Sequence, residues 1–313
     1  MKVIYMGTPA FAVPTLDALV NSHHQVLAVC TQPDRPAGRG YKLAPSPVKI
    51  KAMECGLPVL QPETLRFADS KEVRAQLNSF GADIFVVAAY GLLLPKGVLN
   101  MPPLRCVNVH ASLLPKYRGA SPIHASLLNG DTMSGITIIH MDAGIDTGDM
   151  ILSKELEIHA DERFPELHDR MAQLGADALL EALKLLENGD ATRTPQETAL
   201  SSYAPMLQKS DAIINWQWPT QRLINQTRAL DPWPGSQTIY DGKTLKIWRL
   251  EAAVCEAAGM PGTVLAVDSA RGVLIKTGNS AVWATELQGD GSKRMPAIDY
   301  LRGRKIKVGA VLI

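Results

Sequence analysis

The chain has 313 residues, of which 46% are hydrophobic, and a formal net charge of +1 at pH 7. This length exceeds what one hydrophobic core usually serves, so it predicts two domains, and the composition excludes a disordered or fibrous chain. No apolar run reaches the roughly 18 residues of a membrane-spanning helix, and the first residues carry neither a secretory nor a transit signal, which predicts a cytoplasmic protein.

The cysteines exclude a disulfide framework. Cys30, Cys55, Cys106 and Cys255 form no Cys-x-x-Cys pair, and three of them lie in apolar surroundings. This pattern is typical of buried free thiols rather than of disulfides or a zinc site. We therefore expect no metal.

Short apolar runs alternate with amphipathic stretches through the first half of the chain. The runs predicted to be strands are 3–7, 25–31, 58–61, 84–90 and 107–110. The stretches predicted to be helices are 11–22, 47–56 and 70–78. Strand–helix alternation of this kind indicates an α/β domain with a Rossmann-like, mostly parallel sheet that helices cover.

Two more strands and a long helix complete the first predicted domain. Residues 135–141 and 149–158 have the length and β-branched content of strands. Residues 164–189 repeat apolar side chains at three- and four-residue spacing until Gly189 ends the helix. Residues 190–208 lack periodicity and predict a linker, so the first domain is assigned to 1–189.

The second predicted domain, 209–313, begins with a helix and continues with short strands. The helix covers 219–230, and the strands are 237–240, 245–253, 262–267, 272–276 and 281–287. Turn signals between them indicate a smaller β-barrel of OB-like type, which can bind oligonucleotides. From residue 208 onward the chain has 14 basic and 9 acidic residues, which suits a polyanionic partner but equally fits ordinary surface variation.

The segment 108–119 is the most informative part of the sequence. Asn108 and His110 are two residues apart at the end of a strand, so their side chains share one face. Asp146 follows in a loop with a glycine on either side, and Asp142 and Asp149 compete with it for the same role. A lone histidine on a strand is more often structural, but an amide, an imidazole and a carboxylate that converge form a proton-handling site.

These residues and their neighbours carry a resemblance to a known family. Asn108-x-His110, the run Ser112-Leu-Leu-Pro-Lys-Tyr-Arg-Gly119 and the Asp146-Thr-Gly-Asp149 segment resemble the formyltransferases that use 10-formyltetrahydrofolate. Residues 31–40 and 231–235 are similar to the members that act on initiator methionyl-tRNA. The resemblance implies 10-formyltetrahydrofolate as formyl donor and catalytic roles for Asn108, His110 and Asp146.

The resemblance also assigns binding residues. It places the pterin ring of the folate against two apolar loops, which contribute Tyr90, Gly91, Leu92, Ser112, Leu113, Leu114 and Pro115. Open α/β sheets bind ligands beyond the carboxyl ends of their strands, which agrees with this placement. It implies that the basic insertion 32–48 and the C-terminal domain bind initiator methionyl-tRNA, through Arg35, Arg39, Lys42, Lys305 and Lys307. We expect a monomer.

Two other functions remain open from the sequence. A related formyltransferase acting on the amine of a nucleotide sugar or of glycinamide ribonucleotide would use the same Asn108, His110 and Asp146. A non-catalytic RNA-binding protein with a degenerate transferase domain would not need them. The basic insertion and the basic second domain favour a tRNA substrate.

Overall fold

The computed structural model describes residues 1–37, 42–66, 70–255 and 259–313. The chain forms two compact units that interleave along the sequence. The first unit comprises Met1–Pro122, Met133–Glu157 and His168–Ala204, and the second comprises Ile123–Thr132, Ile158–Leu167 and Pro205–Ile313. A single boundary in the sequence cannot express this interleaving, because two short segments that precede residue 205 belong to the second unit.

A seven-stranded sheet forms the centre of the first unit. Its strands are β1 Lys2–Gly7, β2 Gln25–Cys30, β5 Val59–Leu60, β6 Ile84–Ala88, β7 Cys106–His110, β9 Met133–His140 and β10 Met150–Glu157. The order is β10-β9-β7-β6-β1-β2-β5, and β9 runs antiparallel to both of its neighbours while the other pairs are parallel. The predicted mostly parallel sheet is confirmed. Strands β6 and β7 are buried along their whole length, as in sheets with both faces covered.

Helices connect these strands. They are α1 Val13–Val20, α2 Pro47–Glu54, α3 Lys71–Ser79, α4 Lys96–Leu99, α5 Pro122–Asn129 and α6 Phe164–Asn188. Helix α2 begins where the Ser46 hydroxyl accepts the Lys49 N–H at 3.0 Å, a typical N-cap. The predicted helix 11–22 is instead a 3-10 turn followed by α1. Among the described residues, no helix is both long and apolar enough to cross a membrane.

Two small ladders lie outside the central sheet. The insertion predicted at 32–48 contains a hairpin of β3 Arg35–Ala37 and β4 Lys42–Ala44. The short strand β8 Arg118–Gly119 pairs in parallel with β11 Tyr203–Ala204, which lies in the predicted linker. The linker region therefore carries residues that hydrogen-bond to the segment after β7.

In its C-terminal segment the second unit has an antiparallel sheet and two helices, in addition to most of α5 and the first turn of α6. The elements of this segment are α7 Thr220–Ala229, β12 Gln237–Tyr240, β13 Lys243–Ala253, β14 Val264–Asp268, β15 Gly272–Lys276, β16 Ala281–Gly289, β17 Met295–Pro296 and α8 Ala297–Gly303. The strand order is β12-β13-β16-β15-β14, and β17 pairs with β16. Trp216, Leu223, Ile247 and Ile275 lie in its buried core.

The predicted barrel is not closed strand to strand in the part of the chain that the structure describes. Strands β12 and β14 are the two ends of the sheet order rather than partners. The C-terminal segment lies between them: Ile313 exchanges hydrogen bonds with Ile239 of β12, and Gly309 and Ala310 bond to Val264 of β14. An irregular segment thus satisfies the backbone groups of both edges, which a closing strand would otherwise pair.

A buried carboxylate joins three parts of the second unit. Asp231 is 5% exposed and Arg163 is 9% exposed. Asp231 Oδ2 accepts Arg163 Nη2 at 2.7 Å, and Asp231 Oδ1 accepts Arg294 Nη1 at 2.8 Å. Arg294 also pairs with Glu286, where Nη2 and Oε2 are 2.7 Å apart. One carboxylate therefore faces two guanidinium groups, which neutralise it and satisfy its oxygens.

A smaller cluster surrounds the amino terminus in the first unit. The α-ammonium donates to Glu187 Oε1 at 2.9 Å, and His23 Nε2 lies 2.8 Å from Glu187 Oε2. Hydrogen bonding to the ammonium, with a further contribution from His23, lowers the pKa of Glu187 from 4.5 to about 2. His23, His24 and Glu187 have donor atoms close enough to hold a metal, but the cation they surround is the ammonium group.

Candidate active site

Strand β7 ends with two polar residues that the sequence places on one face. Asn108 and His110 are 9% and 5% exposed, respectively. Asn108 Nδ2 donates to Asp146 Oδ1 over 3.3 Å, and His110 Nδ1 lies 3.5 Å from Asp146 Oδ2. The structure therefore brings together the three residues predicted to be catalytic, although Asp146 follows Asn108 by 38 positions.

The loop between β9 and β10 fixes the carboxylate of Asp146. Asp146 has a φ of +52°, a left-handed conformation that is uncommon for residues other than glycine. A Cβ at Gly148 would lie 1.7 Å from the His140 carbonyl oxygen, so the loop needs glycine there. The Gly119 N–H donates to Asp146 Oδ2 at 2.9 Å, and Gln196 Nε2 donates to the Asp146 carbonyl at 2.8 Å. These bonds offset the cost of the backbone conformation and orient the carboxylate.

The partners of His110 determine where its protons lie. Its Nε2 is 2.9 Å from the Tyr117 carbonyl oxygen, which can only accept a hydrogen bond, so Nε2 carries a proton and donates. Its Nδ1 faces the carboxylate of Asp146. An imidazole nitrogen beside a carboxylate is placed for general acid–base chemistry. The pair can therefore give up or receive a proton at one position.

The two competing aspartates make other contacts, Asp142 through its carboxylate and Asp149 through its backbone. Asp142 accepts the Thr147 hydroxyl at 2.7 Å and the Gly144 N–H at 3.0 Å, which closes its own turn. The Asp149 carbonyl accepts the His140 N–H at 2.9 Å as part of the pairing between β9 and the chain that enters β10. Asp146 is the carboxylate that contacts both β7 residues.

The segment after β7 turns alternate side chains inward. Ser112 is fully buried, and its hydroxyl donates to the Lys116 carbonyl at 2.6 Å. Thr137 Oγ1 donates to the Ser112 carbonyl at 2.7 Å and accepts the Leu114 N–H at 3.1 Å. Leu114 is buried as well, whereas Leu113 and Pro115 are half-buried. Of the four predicted folate contacts here, Leu113 and Pro115 have accessible side chains.

In the loop after β6, the backbone is accessible to a ligand, whereas the ring of Tyr90 is buried. Tyr90 is 2% exposed within the core, burial raises its pKa, and its hydroxyl has no hydrogen-bond partner among the described residues. Its carbonyl accepts Thr8 Oγ1 at 2.9 Å and Gln32 Nε2 at 3.1 Å. Gly91 is exposed with a φ of +78°, and Leu92 packs partly buried against the same core. The accessible part of this predicted folate contact is the backbone near Gly91.

Two of the three residues of the insertion that are predicted to bind tRNA begin the strands of the hairpin. Arg35 begins β3, is exposed, and donates from Nη2 to Gln32 Oε1 at 3.1 Å. Lys42 begins β4. Arg39, the third residue predicted to bind tRNA here, lies outside the described residues.

The predicted C-terminal contacts follow helix α8. Lys305 and Lys307 are both exposed. Lys305 lines a cleft of about 340 Å³ together with Lys243 and Arg304. The Tyr240 hydroxyl accepts the Lys307 N–H at 3.0 Å and donates to the Lys305 carbonyl at 3.3 Å, so the backbone that presents both lysines is held in place.

Sequence reasoning missed several residues that build the site. Gln196 lies in the predicted linker, yet it bonds to the carbonyls of Asp146 and Gly148 and accepts Arg118 Nε at 2.9 Å. Gly119 is the last residue of the 112–119 run, but no feature of the neighbouring sequence indicated that its N–H would bond to Asp146. No periodicity or motif could have identified Gln196, because its partners are about 50 positions away.

The chain matches known families over both units. The formyl transferase family model matches residues 1–183, and the model of the formyl transferase C-terminal domain matches 206–305. The methionyl-tRNA formyltransferase of Geobacter metallireducens is 46% identical over 309 residues, which are 99% of this chain and 97% of that protein. The methionyl-tRNA formyltransferase of Ruminiclostridium cellulolyticum is 46% identical over 316 residues, with 100% and 99% covered.

A solved structure shares the fold at much lower identity. The N-formyltransferase from Helicobacter canadensis, in complex with folinic acid and dTDP-3-aminofucose, has a TM-score of 0.68 at 19% identity. The match covers 92% of this chain and 99% of that one. With a family model over more than half of its length and relatives of 46% identity along nearly all of it, this chain belongs to the formyltransferase family, among the methionyl-tRNA formyltransferases.

Proposed function

We propose that Asn108, His110 and Asp146 carry out formyl transfer from 10-formyltetrahydrofolate to the amino group of initiator methionyl-tRNA. The relatives are named for this reaction, and the geometry of the three side chains supports the roles proposed for them. The observation that carries the proposal is the position of Asp146, whose carboxylate contacts Asn108 Nδ2, the Gly119 N–H and His110 Nδ1.

The chemistry needs oxyanion stabilisation and one proton transfer. The methionine amine attacks the formyl carbon, negative charge grows on the formyl oxygen, and the bond to nitrogen 10 of the folate then breaks. Asn108 donates one N–H to Asp146 and has a second for the formyl oxygen, a contact worth about 3–4 kcal/mol in such sites. The amine loses one proton and nitrogen 10 gains one, and the His110–Asp146 pair holds that proton between the two steps.

Folate binding is proposed at the two loops beyond the carboxyl ends of β6 and β7. Leu113 and Pro115 form apolar walls, and the backbone near Gly91 pairs with the polar edge of the pterin. The buried side of these loops is formed by the other predicted contacts, which are Tyr90, Leu92, Ser112 and Leu114. The folinic acid named with the Helicobacter canadensis enzyme supports a formyl-folate as the ligand of this fold.

For tRNA binding we propose two basic surfaces. Arg35 and Lys42 on the hairpin, together with Arg39, contact the acceptor stem, and Lys305 and Lys307 contact phosphates. The exposed side chains of Arg35, Lys305 and Lys307 suit sequence-independent phosphate contacts, whose affinity falls as salt rises. A cytoplasmic monomer, with residues 1–189 for catalysis and 209–313 for tRNA binding, completes this proposal.

The two alternatives receive less support. A nucleotide-sugar amine is the ligand named with the Helicobacter canadensis enzyme, but that protein is only 19% identical, against 46% for the methionyl-tRNA formyltransferases. A degenerate, non-catalytic RNA-binding protein has no use for a carboxylate that lies 3.3 Å from an amide and 3.5 Å from an imidazole.

One assay tests the proposal and separates it from both alternatives. Purified protein is incubated with 10-formyltetrahydrofolate and, in parallel, with methionyl-tRNA, an amino-sugar nucleotide or glycinamide ribonucleotide, and products are followed by mass spectrometry. We expect formylation of methionyl-tRNA and its loss in His110→Ala. The matched control is His159→Ala, an exposed histidine that makes its hydrogen bonds to other described residues through its backbone N–H and carbonyl. Formylation of a small amine only, or a fully active His110→Ala, contradicts the proposal.

A further inference from the structure

Gln32, just after β2, joins two parts of the first unit through its side-chain amide. Its Nε2 donates to the Tyr90 carbonyl at 3.1 Å, and its Oε1 accepts Arg35 Nη2 at 3.1 Å. A carbonyl oxygen only accepts and a guanidinium only donates, so the partners fix the orientation of the amide. The contacts therefore run without interruption from the base of the hairpin to the loop after β6.

The backbone of Gln32 is fixed too. Its N–H donates to Thr8 Oγ1 at 3.3 Å, and its carbonyl accepts Gln61 Nε2 at 2.9 Å. The same Thr8 hydroxyl donates to the Tyr90 carbonyl at 2.9 Å, so two donors converge on one acceptor. A Cβ at Gly91 would lie 2.2 Å from Gln32 Nε2, which shows that the amide packs directly over this glycine.

We infer that Gln32 is a positioning residue for the formyl-folate, and that Arg35 orients it. Gln32 holds the Tyr90–Gly91 backbone in the position where its polar groups meet the pterin edge, and its other end is tied to a cation of the tRNA-contacting hairpin. The inference rests on the proposed function of these two surfaces. Glutamine suits the position because one planar group supplies both a donor and an acceptor. Methionine has neither, and glutamate would place a carboxylate oxygen against the Tyr90 carbonyl.

The test measures folate binding separately from catalysis. The dissociation constant for folinic acid is measured by calorimetry on the full chain, together with kcat, both KM values and the melting temperature. Gln32→Met should weaken folinic acid binding about five- to tenfold, as expected for one lost hydrogen bond, and Gln32→Glu should weaken it at least as much. We expect the KM for folate to rise in parallel, with kcat and the KM for methionyl-tRNA within about twofold of wild type.

Two matched comparisons guard against a folding defect. Gln25→Met makes the same change at the exposed start of β2 and should leave folinic acid binding unchanged. Thr8→Val removes the second donor to the Tyr90 carbonyl and should act in the same direction as Gln32→Met, whereas Thr8→Ser keeps the hydroxyl and should restore binding. A merely structural role would instead lower the melting temperature and leave the affinity of the folded fraction unchanged.

The outcomes separate this inference from the proposed function. If the wild-type chain binds no folinic acid, both fall. If it binds folinic acid and formylates methionyl-tRNA while Gln32→Met keeps the wild-type affinity, only the positioning role is overturned. Arg35→Met should weaken folinic acid binding about two- to threefold, since an exposed hydrogen bond that orients a side chain contributes modestly. Unchanged affinity in that variant overturns the connection to the hairpin.

Discussion

Two buried carboxylates, one in each unit, have partners that suit opposite purposes. Asp231 lies between the guanidinium groups of Arg163 and Arg294, with contacts of 2.7 and 2.8 Å. Asp146 receives an amide and a backbone N–H, and its remaining neighbour is His110 at 3.5 Å. The side chains of Asp231 and Asp146 are 6% and 16% exposed, so burial alone does not separate them.

The chemistry of the partners makes the difference. Arginine stays charged at any working pH, so a carboxylate between two arginines has two fixed positive charges as partners and no neighbour that transfers protons. Histidine changes charge near neutral pH, so a carboxylate beside it shares a proton that a substrate can take or return. The comparison predicts that Asp231 supports folding and that Asp146 supports turnover.

The largest expected effect is on catalysis at Asp146. Asp146→Asn keeps the shape but removes the charge that pairs with His110, so kcat should fall about 10³-fold or more, as when a group that orients a catalytic histidine is neutralised. The free energy of unfolding should fall by only about 1–2 kcal/mol, because Gly119 and Asn108 donate to different oxygens of Asp146 and the asparagine keeps an oxygen for one of them. Single-turnover kinetics and urea denaturation measure the two quantities. A stability loss that accounts for the lost activity would remove the contrast with Asp231.

The second prediction is the reverse behaviour at Asp231. Asp231→Asn leaves two guanidinium groups in the second unit without their shared counter-charge, which should cost about 3 kcal/mol or more of unfolding free energy. The rate constant per folded molecule should remain near wild type. Denaturant titration gives the stability, and active-site titration with folinic acid gives the folded fraction. If the free energy of unfolding is unchanged, the ion pairs of Asp231 do not stabilise the fold, and the predicted contrast with Asp146 is wrong.

The third prediction is a smaller fall in turnover at Asn108. Asn108→Ala removes the proposed donor to the formyl oxygen, so kcat should fall about 10²-fold, the lower end for loss of one oxyanion donor. Binding of folinic acid should change little, because the contact strengthens as charge develops in the transition state. Asn100→Ala, on the exposed residue that follows α4, serves as the control. Equal losses in binding and turnover would instead mark Asn108 as a ground-state contact.

The smallest expected effect concerns a third, more exposed carboxylate. Glu187 pairs with the amino-terminal ammonium, and its pKa is lowered from 4.5 to about 2. A lowered pKa means that the interaction stabilises the fold above about pH 4.5 and that this contribution is lost as the pH falls toward 2. Glu187→Gln should therefore cost less than about 1 kcal/mol at pH 7, with the difference from wild type shrinking below pH 4.5. A difference that does not depend on pH would exclude the ion pair as its cause.

Part of the fold and the site follows from sequence pattern alone. The alternation of apolar runs and amphipathic stretches predicted the mostly parallel sheet, because burial on both faces imposes apolar residues along an entire strand. The two-residue spacing of Asn108 and His110 placed them on one face, because side chains alternate along extended backbone. The quoted motifs indicated the formyltransferase family, which the family models confirm.

Only the tertiary structure decided which distant groups meet. It placed the Gly119 N–H on Asp146, brought Gln196 from the predicted linker to the Asp146 loop, and set Gln32 over Gly91. It also left the C-terminal sheet open between β12 and β14, with an irregular segment bonded to both. Periodicity reports how one element buries its own residues, whereas these contacts depend on the paths of loops, and loop paths are fixed by the packing of all the elements that they connect.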